Sequence, residues 1–234
     1  FSIVEMCSVI YGKFLNTGSH PEDPKRDYFV LSKGHGVMAV YACLKELGWL
    51  SEADIQDYFK DGTKLKGLSD THVVGLETTS GSLGHGLSVA AGLALGLKLK
   101  KTNQKVYCIV GDGESNEGAI WEALLFAAHW KLNNLIVLFD CNGYQAMGAT
   151  EEIMSLGSMK DKLKAFNFEV DELNGHDEKQ LSLALEKLVN STSTQPKAII
   201  GNTVKGKGVS FMEANNQWHY TRLTQETYQA ALKE

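Results

Sequence analysis

The sequence has few of the residues that hold together a secreted or metal-stapled protein. It contains only four cysteines in 234 residues, and no two of them form a Cys-x-x-Cys pair, which argues against a disulfide framework or a zinc site. Most of these cysteines lie within apolar stretches, as buried reduced thiols do; they are Cys7, Cys43, Cys108 and Cys141. This pattern predicts a cytoplasmic location.

Long apolar runs and an excess of one charge are also absent. The longest apolar runs, such as residues 135–139, are far shorter than the roughly 20 residues of a membrane-spanning helix, and no signal-peptide pattern opens the chain. The 28 acidic and 23 basic residues give a net charge of -5 without a long run of either sign. We therefore expect small-molecule ligands and neither a nucleic-acid nor a membrane partner.

The sequence does contain a regular alternation of helical and strand patterns. Strands that alternate with helices predict an α/β fold with a parallel sheet and helices on both faces. With 43% apolar residues, we expect residues 1–234 to form one domain around one sizeable core. Apolar spacing predicts helices over residues 3–14, 38–47, 87–100, 119–131, 159–166 and 178–190, and strands over 105–110, 135–139, 168–170 and 198–204.

Two polar residues follow neighbouring strands of this predicted sheet. Asp112 lies in a Gly-Asp-Gly turn after the strand at 105–110, and Asn142 follows the strand at 135–139. Parallel strands end at one edge of a sheet, where open α/β folds bind ligands, so the two side chains could converge. Their oxygens suit Mg²⁺, which completes its coordination with phosphate oxygens and water. The alternative is that the turn only ends a strand and that Asn142 caps the next.

A longer series of motifs surrounds this pair. Residues 111–118 read Gly-Asp-Gly-Glu-Ser-Asn-Glu-Gly, followed by Trp-Glu-Ala at 121–123, Asn-Leu-Ile at 134–136 and Asp-Cys-Asn-Gly at 140–143. Other segments are Ser-Lys-Gly-His-Gly at 32–36, Glu-Thr-Thr-Ser-Gly-Ser-Leu-Gly-His-Gly at 77–86, Asn-Gly-His-Asp at 174–177 and Thr-Val-Lys-Gly-Lys-Gly at 203–208. In content and order the series resembles the transketolase family over almost the whole chain. The resemblance implies the diphosphate-binding domain of the thiamin-diphosphate-binding fold.

The resemblance also implies roles for individual positions. Asp112 and Asn142 would bind a divalent metal, Mg²⁺ or another such as Ca²⁺ or Mn²⁺, with the Tyr144 carbonyl as a third ligand. The resemblance implies catalytic roles for His35 and His219. We expect a catalytic role for His85 as well because, like His35, it lies among glycines, where a side chain is free to point into a cleft. The implied thiamine-diphosphate contacts are His35 near the reacting carbon, Gly81 and Leu83 at the aminopyrimidine ring, Gly111 and Gly113 at the diphosphate, Asn142, and Glu117, which would couple two cofactor sites across a subunit interface.

Other polar residues have simpler interpretations. We expect His20 to be a solvated loop residue, His129 to be a structural residue of a helix, and His176 to fix a turn. Lys205 and Lys207 could face phosphate or could equally be solvated, and the sequence leaves both alternatives open.

Three departures from the family pattern qualify these expectations. Relatives carry Gly-His-Pro where this chain has Leu68 between Gly67 and Ser69, and His72 could replace the lost histidine. His85 takes the place of a usual glutamine, which suggests an unusual donor or acceptor substrate. The family's Gly-His-x-Gly-Gly stretch would precede Phe1, so we expect a further catalytic histidine upstream.

The resemblance implies transfer of a two-carbon ketol unit from a ketose, phosphorylated or otherwise anionic, to an aldehyde acceptor. In the family, a pyrimidine-binding domain supplies the glutamate that activates the cofactor, and the chain ends at Glu234 soon after the first domain's last motif. Residues 224–234 have an amphipathic helical pattern, which favours a natural end over a truncation. We therefore expect a separate pyrimidine-binding subunit, in a heterotetramer with two copies of each chain. The alternatives are a 2-oxo acid decarboxylating component and a non-catalytic paralogue.

Overall fold

A computed structural model describes residues 1–234. The strands are β1 (Tyr28–Leu31), β2 (Val106–Gly111), β3 (Leu135–Cys141), β4 (Tyr144–Gln145), β5 (Gly148–Ala149), β6 (Glu169–Asn174) and β7 (Lys197–Asn202). Five of them form one sheet in the order β1-β2-β3-β7-β6, and every pair in it is parallel. The predicted α/β fold with a parallel sheet is confirmed.

Helices connect these strands and cover the sheet. They are α1 (Val4–Val9), α2 (Val37–Glu46), α3 (Glu52–Gln56), α4 (Gly86–Leu99), α5 (Gly118–His129), α6 (Thr150–Met154), α7 (Met159–Ala165), α8 (Glu178–Val189) and α9 (Gln225–Ala231). None has the length and apolar character that crossing a membrane requires.

The sheet separates two buried apolar clusters. Tyr107 and Ile109 of β2 point into the cluster that contains side chains of α1, α2 and α8, whereas Cys108 and Val110 point into the cluster of α4, α5 and α7. Successive side chains of a strand face opposite sides, so β2 is buried on both faces and its sequence is a continuous apolar run. Each fully buried large apolar side chain contributes about 1.5–3 kcal/mol to folding.

Several predicted boundaries were wrong. The helix predicted over residues 3–14 is an α-helix only to Val9 and then widens into a π-helical turn over Ile10–Phe14, in which Leu15 N donates to Ile10 O at 2.7 Å. β6 is six residues long instead of three, because an edge strand tolerates polar side chains such as Glu169 and Asp171. β7 ends at Asn202, two residues before the predicted end.

The register of β2 and β3 determines where the predicted site forms. Gly111 at the end of β2 pairs with Asp140 near the end of β3, and Asp112 N donates to Asp140 O at 3.1 Å. Asp112 and Asn142 therefore lie on adjacent turns at the carboxyl edge of the sheet, as the sequence predicted.

Candidate functional site at the carboxyl edge of the sheet

The Asp112 carboxylate joins the two turns at this edge. Its side chain is buried, Oδ1 accepts a hydrogen bond from Gly113 N at 2.8 Å, and Oδ2 accepts one from Gly143 N at 2.7 Å. Burial raises the pKa of Asp112, although the two backbone donors oppose the shift. The carboxylate is thus held in place by backbone groups in an environment that favours a nearby positive charge.

Asn142 lies on the second of these turns. Its Oδ1 accepts a hydrogen bond from Tyr144 N at 3.0 Å, and its Nδ2 donates to Asp140 Oδ2 at 3.0 Å. Gly143, whose N–H binds Asp112, lies between Asn142 and Tyr144 in the chain. The structure therefore brings together the three residues predicted to bind a metal.

This donor set fits a divalent metal bound together with a phosphorylated cofactor. It offers a carboxylate, an amide oxygen and a backbone carbonyl, the hard oxygen ligands of Mg²⁺. No group of three or more His, Cys, Asp or Glu side chains in the structure could hold a metal ion by itself. Three protein oxygens would leave part of an octahedral Mg²⁺ shell open to water and to the oxygens of a ligand such as a diphosphate.

A second buried carboxylate, Glu114, ties three glycine-rich loops together. Its Oε1 accepts hydrogen bonds from Ser32 Oγ at 2.5 Å and Gly84 N at 2.9 Å, and its Oε2 accepts one from Gly111 N at 3.0 Å. Sequence reasoning missed Glu114, whose only signal was its position inside the motif at 111–118. Because each partner comes from a different motif, Glu114 fixes the relative positions of the loops.

The loops that carry Gly81 and His35 are also in direct contact. Gly34 O accepts a hydrogen bond from Ser69 N at 3.3 Å, and Ser69 O accepts one from Ser80 N at 3.0 Å. A side chain at Gly34 would collide with Ser80 Oγ, so only glycine permits this approach. The neighbouring Gly81 and Leu83 are partly or fully exposed, and their backbone remains accessible to a ligand.

A cleft of about 1240 Å³ opens beside Asn142. Its walls include two of the three predicted catalytic histidines, His35 and His219, whose ring centroids are 5.3 Å apart. Lys205 also lines the cleft, and its Nζ lies 2.9 Å from His219 Nδ1. Of the two interpretations left open for Lys205, the structure supports a position facing the ligand cleft.

Both cleft histidines are held in the neutral form. His35 is open to the cleft, yet removal of water by the surrounding protein atoms lowers its pKa to about 3, and the charge of Lys33 adds to the effect. Partial burial and the charge of Lys205 lower the pKa of His219 to about 4. Two neutral imidazoles in a ligand cleft can donate and accept hydrogen bonds at neutral pH.

The structure separates His85 from these histidines. His85 is exposed at the start of α4 and does not line the cleft. The preceding Gly84 has φ of +90° and packs directly on Glu117, which is also exposed. His85 and Glu117 therefore share a surface outside the cleft, and the catalytic role of His85 stays a prediction.

His72 and Leu68 show how the chain departs from the family pattern. His72 is exposed, its Nδ1 lies 2.6 Å from Asp70 Oδ1, and it does not line the cleft. Leu68 Cδ1 instead lies 3.3 Å from the position that a Cβ on Gly81 would occupy. The structure gives no support for His72 as a replacement and places an apolar side chain beside the glycine-rich loop.

The remaining polar residues have structural or surface positions. His176 Nε2 accepts a hydrogen bond from Val204 N at 2.8 Å and its Nδ1 lies 3.0 Å from Glu5 Oε1, so it anchors the loop that carries Lys205. His20 and His129 are exposed. Lys207 is exposed and pairs with Glu213 at 3.2 Å.

Comparison with known proteins gives a consistent result. The family model described as "Transketolase, thiamine diphosphate binding domain" matches residues 1–234. The chain is 42% identical over 214 residues to one subunit of the apulose-4-phosphate transketolase of Phocaeicola vulgatus, covering 92% of this chain and 76% of that protein. It is 39% identical over 235 residues to one subunit, SqwG, of the 6-deoxy-6-sulfo-D-fructose transketolase of Clostridium sp., covering 100% of this chain and 85% of that protein.

Solved structures agree with these sequence relatives. Transketolase from Campylobacter jejuni superposes with a TM-score of 0.90 at 30% identity, covering 97% of this chain and 37% of that one. Transketolase from Leishmania mexicana gives a TM-score of 0.86 at 29% identity, covering 97% of this chain and 36% of that one. The chain thus spans little more than a third of the length of these solved enzymes.

Proposed function

The chain belongs to the transketolase family, and on that basis we propose that it is the diphosphate-binding subunit of a two-subunit, thiamine-diphosphate-dependent transketolase. The enzyme would move a two-carbon ketol unit from a ketose to an aldehyde acceptor. The observation that carries the proposal is the convergence of Asp112 and Asn142 beside a cleft that contains His35 and His219. Two of its relatives are named as individual subunits of apulose-4-phosphate transketolases, which supports a divided enzyme.

The cofactor would be held at the carboxyl edge of the sheet. Asp112, Asn142 and the Tyr144 carbonyl would bind Mg²⁺, or Ca²⁺ or Mn²⁺ in its place. Gly111 and Gly113 lie beside these ligands and would border the diphosphate, although their N–H groups donate to Glu114 and Asp112 in this structure and are not open as the sequence suggested. The exposed loop of Gly81 and Leu83 suits the aminopyrimidine ring. When bound, thiamine diphosphate supplies a carbanion at its thiazolium ring.

The cleft histidines would handle the hydroxyl protons of the sugar. An ammonium group can only donate, so Lys205 Nζ donates to His219 Nδ1 and the single ring proton of neutral His219 lies on Nε2. That N–H can hydrogen-bond a substrate oxygen. His35, 5.3 Å away between ring centroids and also neutral, can accept or donate at the same substrate.

A partner subunit would complete the active site with the pyrimidine-binding domain, in a heterotetramer with two copies of each chain. In this arrangement Glu117 and His85 would face the partner, in keeping with their exposure. His85 and Glu117 directly precede α4 and α5. These two helices also carry exposed apolar side chains, Val89 of α4 and Leu125 and Phe126 of α5, which supports a surface that a partner covers. All four cysteines are free thiols, which supports the expected cytoplasmic location.

An anionic ketose is the substrate class that the cleft supports. Lys205 lines the cleft, and so does Arg222, whose guanidinium carbon lies 5.2 Å from the centroid of the Phe59 ring. Their positive charges suit a phosphate or a sulfonate group. The two relatives compared above are named for a sugar phosphate and a sulfo-sugar.

The proposal is tested by adding the partner. We expect the chain alone to show little turnover, and the chain mixed with a pyrimidine-domain partner to bind thiamine diphosphate and Mg²⁺ and to transfer ketol units from an anionic ketose. Asp112→Ala should abolish metal-dependent cofactor binding. Release of CO₂ from a 2-oxo acid would indicate the decarboxylating alternative, and absence of cofactor binding with and without partner would indicate a non-catalytic paralogue.

A further inference from the structure

Asp140 is a buried carboxylate beside the candidate metal ligand Asn142, and no proposed contact with the metal or the cofactor accounts for it. Its side chain is fully buried near the end of β3, two residues before Asn142. Oδ2 accepts hydrogen bonds from Ser2 Oγ at 2.7 Å, Lys33 Nζ at 2.5 Å and Asn142 Nδ2 at 3.0 Å, and Oδ1 accepts one from Thr203 Oγ1 at 2.5 Å. Four segments of the chain therefore donate to one side chain.

We propose that Asp140 is a positioning residue that selects which atom of Asn142 faces the metal. An asparagine amide can present either its oxygen or its nitrogen in the same place, and only the oxygen can bind a cation. Because Asp140 Oδ2 accepts from Asn142 Nδ2, the Asn142 Oδ1 is directed to the opposite side, toward Tyr144 N and the turn that Asp112 holds. This inference rests on the proposed function, since it concerns the proposed metal ligand.

The other donors make this acceptor rigid. Lys33 forms a buried salt bridge with Asp140, and the hydroxyl groups of Ser2, before α1, and Thr203, after β7, donate to it. A side chain with this many partners cannot turn away from Asn142 without leaving buried donors unpaired, which is unfavourable. Outer partners of this kind orient metal ligands, and their loss weakens metal affinity by roughly 10- to 100-fold.

The test must separate the effect of the Asn142 amide orientation on metal binding from the effect of breaking the buried Lys33–Asp140 salt bridge. Lys33→Met removes the buried positive charge, so substitutions at Asp140 in that background leave no unpaired ion. In this background, Asp140→Leu removes the acceptor for Asn142. Asp140→Asn keeps an acceptor, because its amide nitrogen can donate to the Thr203 hydroxyl while its oxygen faces Asn142. Mn²⁺ binding to each full-length variant with thiamine diphosphate and the partner subunit, measured by electron paramagnetic resonance, reports the site without any catalytic assay.

We expect K33M/D140L to bind Mn²⁺ at least tenfold more weakly than K33M, and K33M/D140N to stay within about threefold of K33M. Asn142→Asp supplies the decisive control, because a carboxylate presents an oxygen in either orientation. In the presence of N142D, the Asp140→Leu change should therefore no longer weaken Mn²⁺ binding.

The inference would be overturned if Asp140→Leu weakened Mn²⁺ binding equally in the native Asn142 background and in the N142D background. It would also be overturned if Asp140→Leu did not weaken Mn²⁺ binding in the native Asn142 background. A wild-type chain that binds no Mn²⁺ with cofactor and partner would overturn the proposed function itself and the inference with it. Thermal unfolding of each variant shows whether a weaker site follows from a less stable fold, since a purely structural role predicts losses that parallel the melting temperature and are not rescued by N142D.

Discussion

Lys205 Nζ lies 2.9 Å from His219 Nδ1, so a positive charge is placed against the ring of a cleft histidine. The two residues are 14 positions apart, and the loop between them brings both to the wall of the same cleft. The contact fixes the tautomer of His219 and, with partial burial as the larger cause, lowers the pKa of His219 to about 4. A histidine in this state is a hydrogen-bonding group at neutral pH instead of a cation.

Lys205→Met should raise the pKa of His219 in the cofactor-free chain toward the ordinary value near 6.5. The variant removes the nearby charge and the donor while keeping the bulk of the side chain. Nuclear magnetic resonance titration of the histidine rings measures the shift directly. Lys207→Met is the matched control, because Lys207 is exposed and paired with Glu213, and it should leave the His219 pKa unchanged. An unchanged pKa in Lys205→Met would contradict the prediction.

The lowered pKa values of His35 and His219 also predict how stability depends on pH. The unfolded chain takes up protons at these histidines below pH about 6.5, whereas the folded chain does so only near pH 3 for His35 and 4 for His219. Their contribution to stability is therefore complete above pH 6.5 and is lost as the pH falls toward 4.

Urea unfolding of the cofactor-free chain at pH 7 and pH 5 measures this loss. The other titratable groups are the same in both proteins, so the comparison with the variant that carries His35→Gln and His219→Gln isolates the contribution of these two histidines. We expect the double variant to lose less unfolding free energy between the two pH values than the wild type. An equal loss would show that these histidines titrate normally in the folded chain.

Glu114→Gln should destabilise the chain although it changes only one atom of the side chain. Glu114 accepts from Gly84 N with one oxygen and from Gly111 N with the other, so either orientation of the glutamine amide sets an NH₂ group against a backbone N–H. We expect a loss of about 1–3 kcal/mol in unfolding free energy by chemical denaturation. Glu117→Gln, three positions on and exposed, should change the isolated chain by less than about 0.5 kcal/mol.

The opposite pattern, with Glu117→Gln the more damaging in the isolated chain, would contradict this assignment. In the assembled enzyme the two variants should differ in another way. Glu117→Gln should weaken association with the partner subunit or cofactor cooperativity, because Glu117 is exposed and packs against Gly84 on the surface that we propose the partner covers.

The sequence predicted the fold and the placement of Asp112 and Asn142 on adjacent turns for clear physical reasons. The apolar runs of β2 and β3 are buried on both faces, so their ends mark the ligand-binding edge, and Asp112 and Asn142 follow those ends. The roles of Glu114 and Asp140 could not be predicted, because they depend on donors from loops far away in sequence. Gly84 lies 30 positions from Glu114 and Lys33 lies 107 from Asp140, and no local pattern encodes such contacts.

The sequence also could not show which histidines the fold would place in the cleft. His35 and His85 both lie among glycines, and their local sequences suggested the same functional role for each. The turn before α4 directs His85 to the surface, whereas the loop after β1 places His35 in the cleft opposite His219. The length of the edge strand β6 was underestimated because its half-exposed polar residues lack the apolar run that marks the central strands.

Two glycines of α4 should respond in opposite ways to alanine. A Cβ on Gly86 would lie 2.5 Å from the backbone Cα of Ser32, so Gly86→Ala must push apart the start of α4 and the loop that carries His35, at a cost of about 1–3 kcal/mol. A Cβ on Gly92 would meet nothing within 4 Å, and alanine there should stabilise the isolated chain by about 0.5–1 kcal/mol through its higher helix propensity. Chemical denaturation of both variants tests the pair, and a Gly86→Ala chain as stable as the wild type would contradict the close approach.

Gly92 is exposed on the same helix as Val89, on the surface that we assign to the partner subunit, so Gly92→Ala should at the same time weaken assembly. Stabilisation of the chain together with weaker assembly would show that the open space beside Gly92 is reserved for the partner.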